Sequence, residues 1–163
     1  MTDPLHTLII GYGNPYRRDD GVAFHVINAI RRRLGLRELS IEEDGEDELG
    51  QPVDTLMLHQ LLPELSPMLA RYEQVIFVDA HLGVIEQTVR VVPVVEALVF
   101  EAVTHHMSPG LLLAITRQMA GTAPPGVLVS VKGIDFDFGT ELSPECRQYA
   151  DEAIEKIALM VAS

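Results

Sequence analysis

Three polar residues of the sequence are of the types that bind divalent metal ions or transfer protons. Asp20 lies in the turn after the first apolar run, Asp79 ends the run "VIFVD", and His105 follows the segment "VEALVFEAVT". Two carboxylates and an imidazole suit a transition metal such as nickel or zinc, and three protein ligands leave positions open for a substrate. A carboxylate and a histidine can instead activate water as a general acid–base pair. The three residues are far apart in the chain, so only the fold can bring them together.

Each candidate also has an ordinary structural interpretation. An aspartate at a strand end often caps the following turn, and a histidine near a helix start often caps the helix or lies at the surface. His106 competes with His105 for any role. Asp19, beside Asp20, precedes an apolar-periodic segment and is typical of a helix N-cap with favourable dipole placement. We therefore interpret Asp19 as a cap.

The turn "GYGN" enters from an apolar run, as phosphate-binding strand–loop–helix units do. The dinucleotide fingerprint G-x-G-x-x-G requires a glycine where Tyr16 stands, and the phosphate-binding P-loop requires Gly-Lys-Ser/Thr before its helix. Neither pattern is met, and the acidic pair that follows would repel a phosphate. Both nucleotide-binding interpretations are therefore weak.

Apolar runs and amphipathic segments alternate along the chain. Strand patterns cover Thr7–Tyr12, Val53–Leu58, Gln74–Ala80, Thr88–Val94 and Gly126–Val131. The proline in the fourth run predicts an edge position. Helix patterns begin at Asp20, at Ser108-Pro109 and at Ser143-Pro144, and short helical turns are expected around Pro63 and Pro67. This alternation predicts an α/β sandwich with a largely parallel sheet.

The composition narrows the class of protein and its partners. The 163 residues suit a single domain, 1–163, and the net charge of −12 argues against nucleic acid and anionic membranes as partners. The N-terminus has no signal-peptide pattern and no apolar run is long enough to span a bilayer, so we expect a cytoplasmic protein. The single cysteine, Cys146, rules out an intramolecular disulfide. The acidic segment Arg37–Gln51 is interpreted as a solvated loop.

Three motifs together resemble those of the nickel–iron hydrogenase maturation proteases. "GYGNPYRRDDGVA" is similar to the family's N-terminal motif, "VIFVDA" to its second acidic motif and "THHMSP" to its histidine motif, in the family's order. The resemblance extends over essentially the whole chain. "LHQLLPEL", "GTAPPGVLVSVKGIDFDFG" and "LSPE" look like the subgroup that serves cytoplasmic bidirectional, NAD-linked hydrogenases.

The resemblance implies an endopeptidase that removes a C-terminal extension from the hydrogenase large-subunit precursor after nickel insertion. The family's catalytic and metal-interacting residues fall on Asp20, Asp79 and His105. Nickel would arrive with the substrate, and isolated protein would retain it weakly or partially. The implied fold is a three-layer α/β/α sandwich around a twisted, mixed sheet. Gly11 and Gly13 would then permit the tight turn that lets Asp20 face the other two residues.

Three other functions compete with this interpretation. Peptidyl-tRNA hydrolases also begin with a strand and a G-x-G-N-P turn, but they follow it with a catalytic histidine and carry a basic face; the stretch "RRDDGVAF" and the negative charge argue against them. A non-catalytic nickel-binding chaperone for the same precursor would use the same three residues, so the sequence leaves it open. A flavodoxin-like ligand-binding domain would carry a bound chromophore or nucleotide.

Overall fold

Five strands form the centre of the structure, a computed structural model that describes residues 5–99 and 107–162. They are β1 (Leu5–Tyr12), β2 (Val53–Leu58), β3 (Tyr72–His81), β4 (Val89–Pro93) and β5 (Gly126–Lys132). Their order in the sheet is β2-β1-β3-β5-β4. The first four strands of this order run parallel, and β4 is an antiparallel edge strand. The predicted largely parallel, mixed sheet is confirmed, and so is the edge position of the strand that contains proline.

Helices cover both faces of this sheet. The α-helices of the described residues are α1 (Val22–Arg33), α2 (Ser66–Leu69), α3 (Pro109–Ala120) and α4 (Pro144–Ala162). Short 3-10 helices lie at Arg18–Gly21, Glu46–Glu48 and Pro63–Leu65. α1 packs against α4 on one side, and α2 packs against α3 on the other. No helix in the described part of the chain combines the length and hydropathy that crossing a bilayer requires.

Alternation along the central strands divides the core into two layers. Ile9 and Val78 belong to a buried cluster that includes residues of α1 and α4. Their neighbours Ile10 and Phe77 belong to a second cluster, which includes Leu112 of α3. Successive side chains of a strand point to opposite faces, so strands covered by helices on both sides must be apolar on both sides. The result is the α/β/α sandwich that the resemblance implies.

The helix α3 begins as the sequence predicts. Its N-cap is Ser108, whose Oγ accepts a hydrogen bond of 3.2 Å from the backbone N–H of Leu111. Pro109 is the first helical residue, where its missing N–H costs nothing. The cap places the start of α3 immediately after the segment that contains the candidate histidine.

The acidic segment between α1 and β2 is anchored by a buried arginine. Arg31 of α1 is 1% exposed, and its guanidinium donates to Thr55 Oγ1 and to Glu48 Oε1, each at 2.9 Å. Its Nε also donates to the carbonyl of Arg37 at 2.7 Å. The interpretation of this segment as a solvated loop is therefore wrong for Glu48, although Glu42 and Asp44 are exposed.

Candidate functional site

The turn after β1 is a closely folded glycine loop. Gly13 has a φ of +142°, and a Cβ atom there would lie 2.2 Å from the carbonyl oxygen of Asp20. A Cβ on Gly21 would lie 2.5 Å from Cα of Pro15. Only residues without side chains fit at these two positions. The loop therefore brings its far end, with Asp20, back onto the end of β1.

The backbone of this loop also binds the carboxylate of Asp20. The N–H of Asn14 donates to Asp20 Oδ2 at 2.9 Å, and the N–H of Tyr16 donates to Asn14 Oδ1 at 3.0 Å. Gly11, at the end of β1, lets α1 approach the sheet, since a Cβ there would lie 2.8 Å from Cγ1 of Ile27. The loop and the start of α1 are thus held against the carboxyl edge of the sheet, in agreement with the tight turn expected at Gly11 and Gly13.

Asp79 lies near the carboxyl end of β3, beside the end of β1. Its Oδ1 accepts a hydrogen bond of 2.7 Å from the N–H of Ala80. Burial raises the pKa of Asp79 to about 7, and the negative charge of Asp20 adds to this rise; the bonds from Ala80 and from the Tyr12 hydroxyl oppose it. The structure therefore brings Asp20 and Asp79 together, close enough for their charges to repel. A cation between them would relieve that repulsion.

His105, the third candidate, and its neighbour His106 lie outside the described residues, and the choice between them stays a prediction. Within residues 5–99 and 107–162, no three His, Cys, Asp or Glu side chains are arranged to hold a metal ion. Of the three predicted site residues, Asp20 and Asp79 are therefore the two that lie in the described part of the chain.

Asp19 is turned away from this pair and is completely buried. Its Oδ2 accepts hydrogen bonds from the N–H groups of Ile134 and Asp135, both at 2.9 Å, and from Ser143 Oγ at 2.6 Å. Its Oδ1 accepts from the N–H of Ser143 at 2.8 Å. Burial alone would raise the pKa of Asp19, but these bonds outweigh it and hold the pKa below its ordinary value. The N-cap interpretation is wrong, because Asp19 lies inside a 3-10 helix and neither that helix nor α1 has a side-chain cap.

These bonds attach the loop to residues 133–143, which we call the strap. The backbone N–H of Arg18 donates to the carbonyl of Gly139 at 2.9 Å, and its Nε donates to the carbonyl of Glu141 at 3.0 Å. Arg18 has a φ of +43°, a conformation that is costly for a residue with a side chain. The strap contacts therefore hold the backbone that precedes Asp20 in one conformation.

Tyr12 is a site residue that the sequence analysis missed. It is the last residue of β1, and its phenol lies near enough to Asp79 for the two groups to shift each other's pKa. Burial and the neighbouring carboxylate of Asp79 raise the pKa of Tyr12 above its ordinary value, so the phenol remains protonated. The available signal was positional: Tyr12 and Asp79 both lie where predicted parallel strands end.

A groove of about 180 Å³ lies beside the glycine loop. It is lined by Gly13 and Pro15 of the loop, by Met57 and Leu58 at the end of β2 and by the acidic segment around Glu42.

The fold and the site define an α/β protein with a partly buried acid pair at the carboxyl edge of its sheet. No family model matches the chain, and no curated protein sequence matches it significantly. The solved structures do provide matches. The hydrogenase maturating endopeptidase HybD from Escherichia coli superposes with a TM-score of 0.67 at 20% identity, over 96% of this chain and 92% of HybD.

Two archaeal proteins from Thermococcus kodakarensis are also similar. The [NiFe] hydrogenase maturation protease HycI has a TM-score of 0.65 at 19% identity and covers 98% of this chain and 94% of its own. The [NiFe] hydrogenase maturation protease HybD has a TM-score of 0.61 at 18% identity and covers 96% and 99%, respectively. At these identities the likeness establishes the fold over nearly the full length of the chain.

Proposed function

We propose that this protein is a hydrogenase maturation endopeptidase that removes the C-terminal extension of a nickel–iron hydrogenase large-subunit precursor after nickel insertion. Its partner is the precursor, and its location is the cytoplasm. The motifs of the NAD-linked, bidirectional subgroup make the large subunit of such a hydrogenase the first substrate to test. Residues 1–163 would form one domain that performs the whole reaction.

The acid pair is the observation that carries this proposal. Asp79 is partly buried near a second carboxylate, and the loss of solvent together with this neighbour raises its pKa to about 7. Two neighbouring acids whose ionisation is made unfavourable in this way are typical of a site that receives a cation or transfers a proton. The shared fold of solved hydrogenase maturation peptidases adds support.

In this mechanism nickel is the cargo of the precursor. Asp20 and Asp79, together with His105, contact the metal that the precursor already holds. Contact with a loaded metal centre then places the scissile peptide bond at the acid pair, so an unloaded precursor is not cut. The Asn14 N–H, 2.9 Å from Asp20 Oδ2, fixes one side of the pair.

Asp79 is our candidate for the general base. A base is most effective when its pKa lies near the working pH, and in the free protein burial raises the pKa of Asp79 to about 7. The metal of the precursor would lower this pKa and keep Asp79 ionised, ready to accept a proton. Asp79 would take a proton from a water molecule as the water attacks the peptide carbonyl. It would then return that proton to the amine that leaves.

Cleavage of a nickel-loaded precursor, followed by intact mass, tests the proposal. We would compare wild type with Asp20→Asn, Asp79→Asn and His105→Ala. His106→Ala decides between the adjacent histidines. Asp151→Asn, an exposed aspartate of α4, is the matched control and should cleave as wild type does.

Each outcome selects one function. Loss of a C-terminal peptide with wild type and the control, but not with the acid variants, is the expected result. Nickel-dependent binding of the precursor without cleavage would overturn the protease and leave the chaperone function. Cleavage by all variants would show that other residues form the active site.

A further inference from the structure

The carboxylate of Asp19 is completely buried and ionised without a cation beside it. Its pKa lies below the ordinary value although burial alone would raise it. No ion pair in the described part of the chain includes Asp19. Three backbone N–H groups and one hydroxyl of the strap bind it instead. Burying a charge in this way costs free energy that an apolar residue would not, so stability alone does not explain this aspartate.

The geometry of the short helix couples Asp19 to its neighbour in the site. Asp19 and Asp20 are consecutive residues of the 3-10 helix Arg18–Gly21. A 3-10 helix has about three residues per turn, so consecutive side chains point about 120° apart. With Asp19 bound to the strap, Asp20 must project to another side, where its Oδ2 lies 2.9 Å from the backbone nitrogen of Asn14. The rotation of this helix about its axis therefore sets the direction of both carboxylates.

The strap end of this connection is itself firmly held. Ser143 Oγ donates to Asp19 Oδ2 at 2.6 Å and accepts from the N–H of Cys146, in the first turn of α4, at 3.3 Å. Cys146 is completely buried in the core beneath α1 and α4. Asp19 thus joins the short helix to a packed layer of the protein, which does not move with the glycine loop.

We propose that Asp19 is a positioning residue for Asp20: its buried carboxylate fixes the rotation of the 3-10 helix against the strap, so that the Asp20 carboxylate is held at the Asn14 N–H, at the carboxyl edge of the sheet. The inference rests on the role assigned to Asp20 under the proposed function. Asp19 acts through the backbone and touches neither the substrate nor its metal. The strap, more than one hundred residues away in the chain, thereby becomes part of what sets the geometry of the site.

Asp19→Asn is the decisive variant because it keeps the size of the side chain. One acceptor oxygen remains, and the other is replaced by an amide nitrogen that cannot accept from the strap. Ser143→Ala is the second variant: it removes the hydroxyl that donates to Asp19 and leaves Asp19 itself in place.

The chain offers a matched control in Asp54 of β2, which is also buried. Asp54 accepts hydrogen bonds from the N–H groups of Gly50 and Gln51 and, at 2.7 Å, from the hydroxyl of Tyr72. Asp54→Asn therefore disturbs an equivalent set of bonds at the amino edge of the same sheet, away from the site. Effects common to both asparagine variants would report on stability alone.

The first readout is hydrogen exchange of the Asn14 N–H in the isolated protein, measured by NMR. This amide donates to Asp20 Oδ2, so its protection reports whether the carboxylate is in place, and Asp20→Ala gives the rate without the bond. Bonds to charged groups are among the stronger ones in proteins, so we expect exchange in Asp19→Asn to be faster than in wild type by about tenfold or more. Ser143→Ala should show a smaller increase, and Asp54→Asn should exchange as wild type does.

Three results of this experiment would overturn the positioning role. They are wild-type exchange of Asn14 in Asp19→Asn, an equal increase in Asp54→Asn, and exchange in wild type as fast as in Asp20→Ala. If Asp19→Asn does not fold, the comparison of Ser143→Ala with Asp54→Asn decides by the same criteria.

The second readout separates this inference from the protease itself. With a loaded precursor, Asp19→Asn should lower kcat by about 10- to 100-fold and leave KM close to the wild-type value, because a small misplacement of a reacting group is costly. Asp54→Asn should keep the wild-type kcat. Faster Asn14 exchange in Asp19→Asn, with no cleavage by wild type, would keep the positioning of the Asp20 carboxylate and overturn the protease. A wild-type kcat in Asp19→Asn would keep the protease and overturn the positioning role.

Discussion

Replacing Asp79 with asparagine should stabilise the protein, and the gain should grow with pH. The pKa of Asp79 rises from its ordinary value of 3.8 to about 7 in the folded chain. Between these values the folded state binds a proton that the unfolded state releases. The wild-type free energy of unfolding therefore falls as pH rises through this window and levels off above about pH 7. An asparagine has no such titration.

The size of the effect follows from the width of the window. The interval from about pH 5.5 to the folded pKa of about 7 spans roughly one and a half pH units. Within it, the free energy of unfolding of wild type falls by about 1.4 kcal/mol per unit. The difference in stability between Asp79→Asn and wild type should thus grow by about 2 kcal/mol between about pH 5.5 and about pH 8. Asparagine keeps an amide oxygen that can accept from Tyr12 or Ala80, so packing changes little.

Urea unfolding of both proteins at the two pH values measures this difference directly. Other groups titrate in the same range, but they are common to both proteins and cancel in the comparison. Asp151→Asn controls for the loss of one exposed negative charge. Asp20→Asn adds a second check: it removes the neighbouring charge that raises the pKa of Asp79, so the wild-type dependence on pH should weaken.

One result would refute the reasoning about burial. If Asp79→Asn differs from wild type by the same amount at both pH values, Asp79 does not change its proton affinity on folding. The acid pair would then be solvated, and the argument for Asp79 as a general base would lose its support. If Asp79→Asn increases the free energy of unfolding at high pH in the wild-type background but not in the Asp20→Asn background, the raised pKa of Asp79 is instead caused by the charge of Asp20.

Three further substitutions test the surroundings of the site. Asp19→Ala should lower the free energy of unfolding by about 3 kcal/mol or more, because the strap loses its buried acceptor. Urea unfolding measures this loss. The pKa of Asp19 is lowered in the folded chain, so its contribution to the free energy of unfolding is present above the ordinary pKa of 3.8 and disappears as pH falls through the folded pKa. The free energy of unfolding of Asp19→Ala should therefore fall less than that of wild type as the solution is acidified. Gly13→Ala should cost about 2 kcal/mol or more and abolish cleavage, because its Cβ would collide with the Asp20 carbonyl; an active Gly13→Ala protein would contradict this. Ser108→Ala should cost about 1 kcal/mol in thermal unfolding, and no change would mean that its cap bond contributes nothing.

Local signals predicted most of the elements. β2 has the predicted bounds, Val53–Leu58, and α3 begins after the predicted cap, Ser108. Both features depend on residues that are neighbours in the chain: a short apolar run that must be buried, and a hydroxyl that accepts from the first turn. Such signals do not require knowledge of the rest of the fold.

Features that join distant segments were not predictable in this way. Arg31 reads as part of a basic helix end, yet it is buried against Thr55 and Glu48. Tyr12 reads as a variable residue between two glycines, yet it contacts Asp79 on a neighbouring strand. In each case the partner is chosen by the register of the sheet or the path of a loop, and neither is written in the local pattern.

The pair Asp19 and Asp20 shows where the sequence stops and the tertiary structure begins. The sequence by itself determined that acids would gather at one edge of the sheet, because parallel strands all end at the same edge. The choice of Asp20 over Asp19 came from the family resemblance, because the local pattern places both acids before the same helix and gives no physical reason to prefer one. In the folded chain that choice depends on the strap, whose N–H groups and Ser143 hydroxyl bind Asp19 from more than one hundred residues away. Adjacent residues in the short helix project in different directions, so Asp20 is left to face the site.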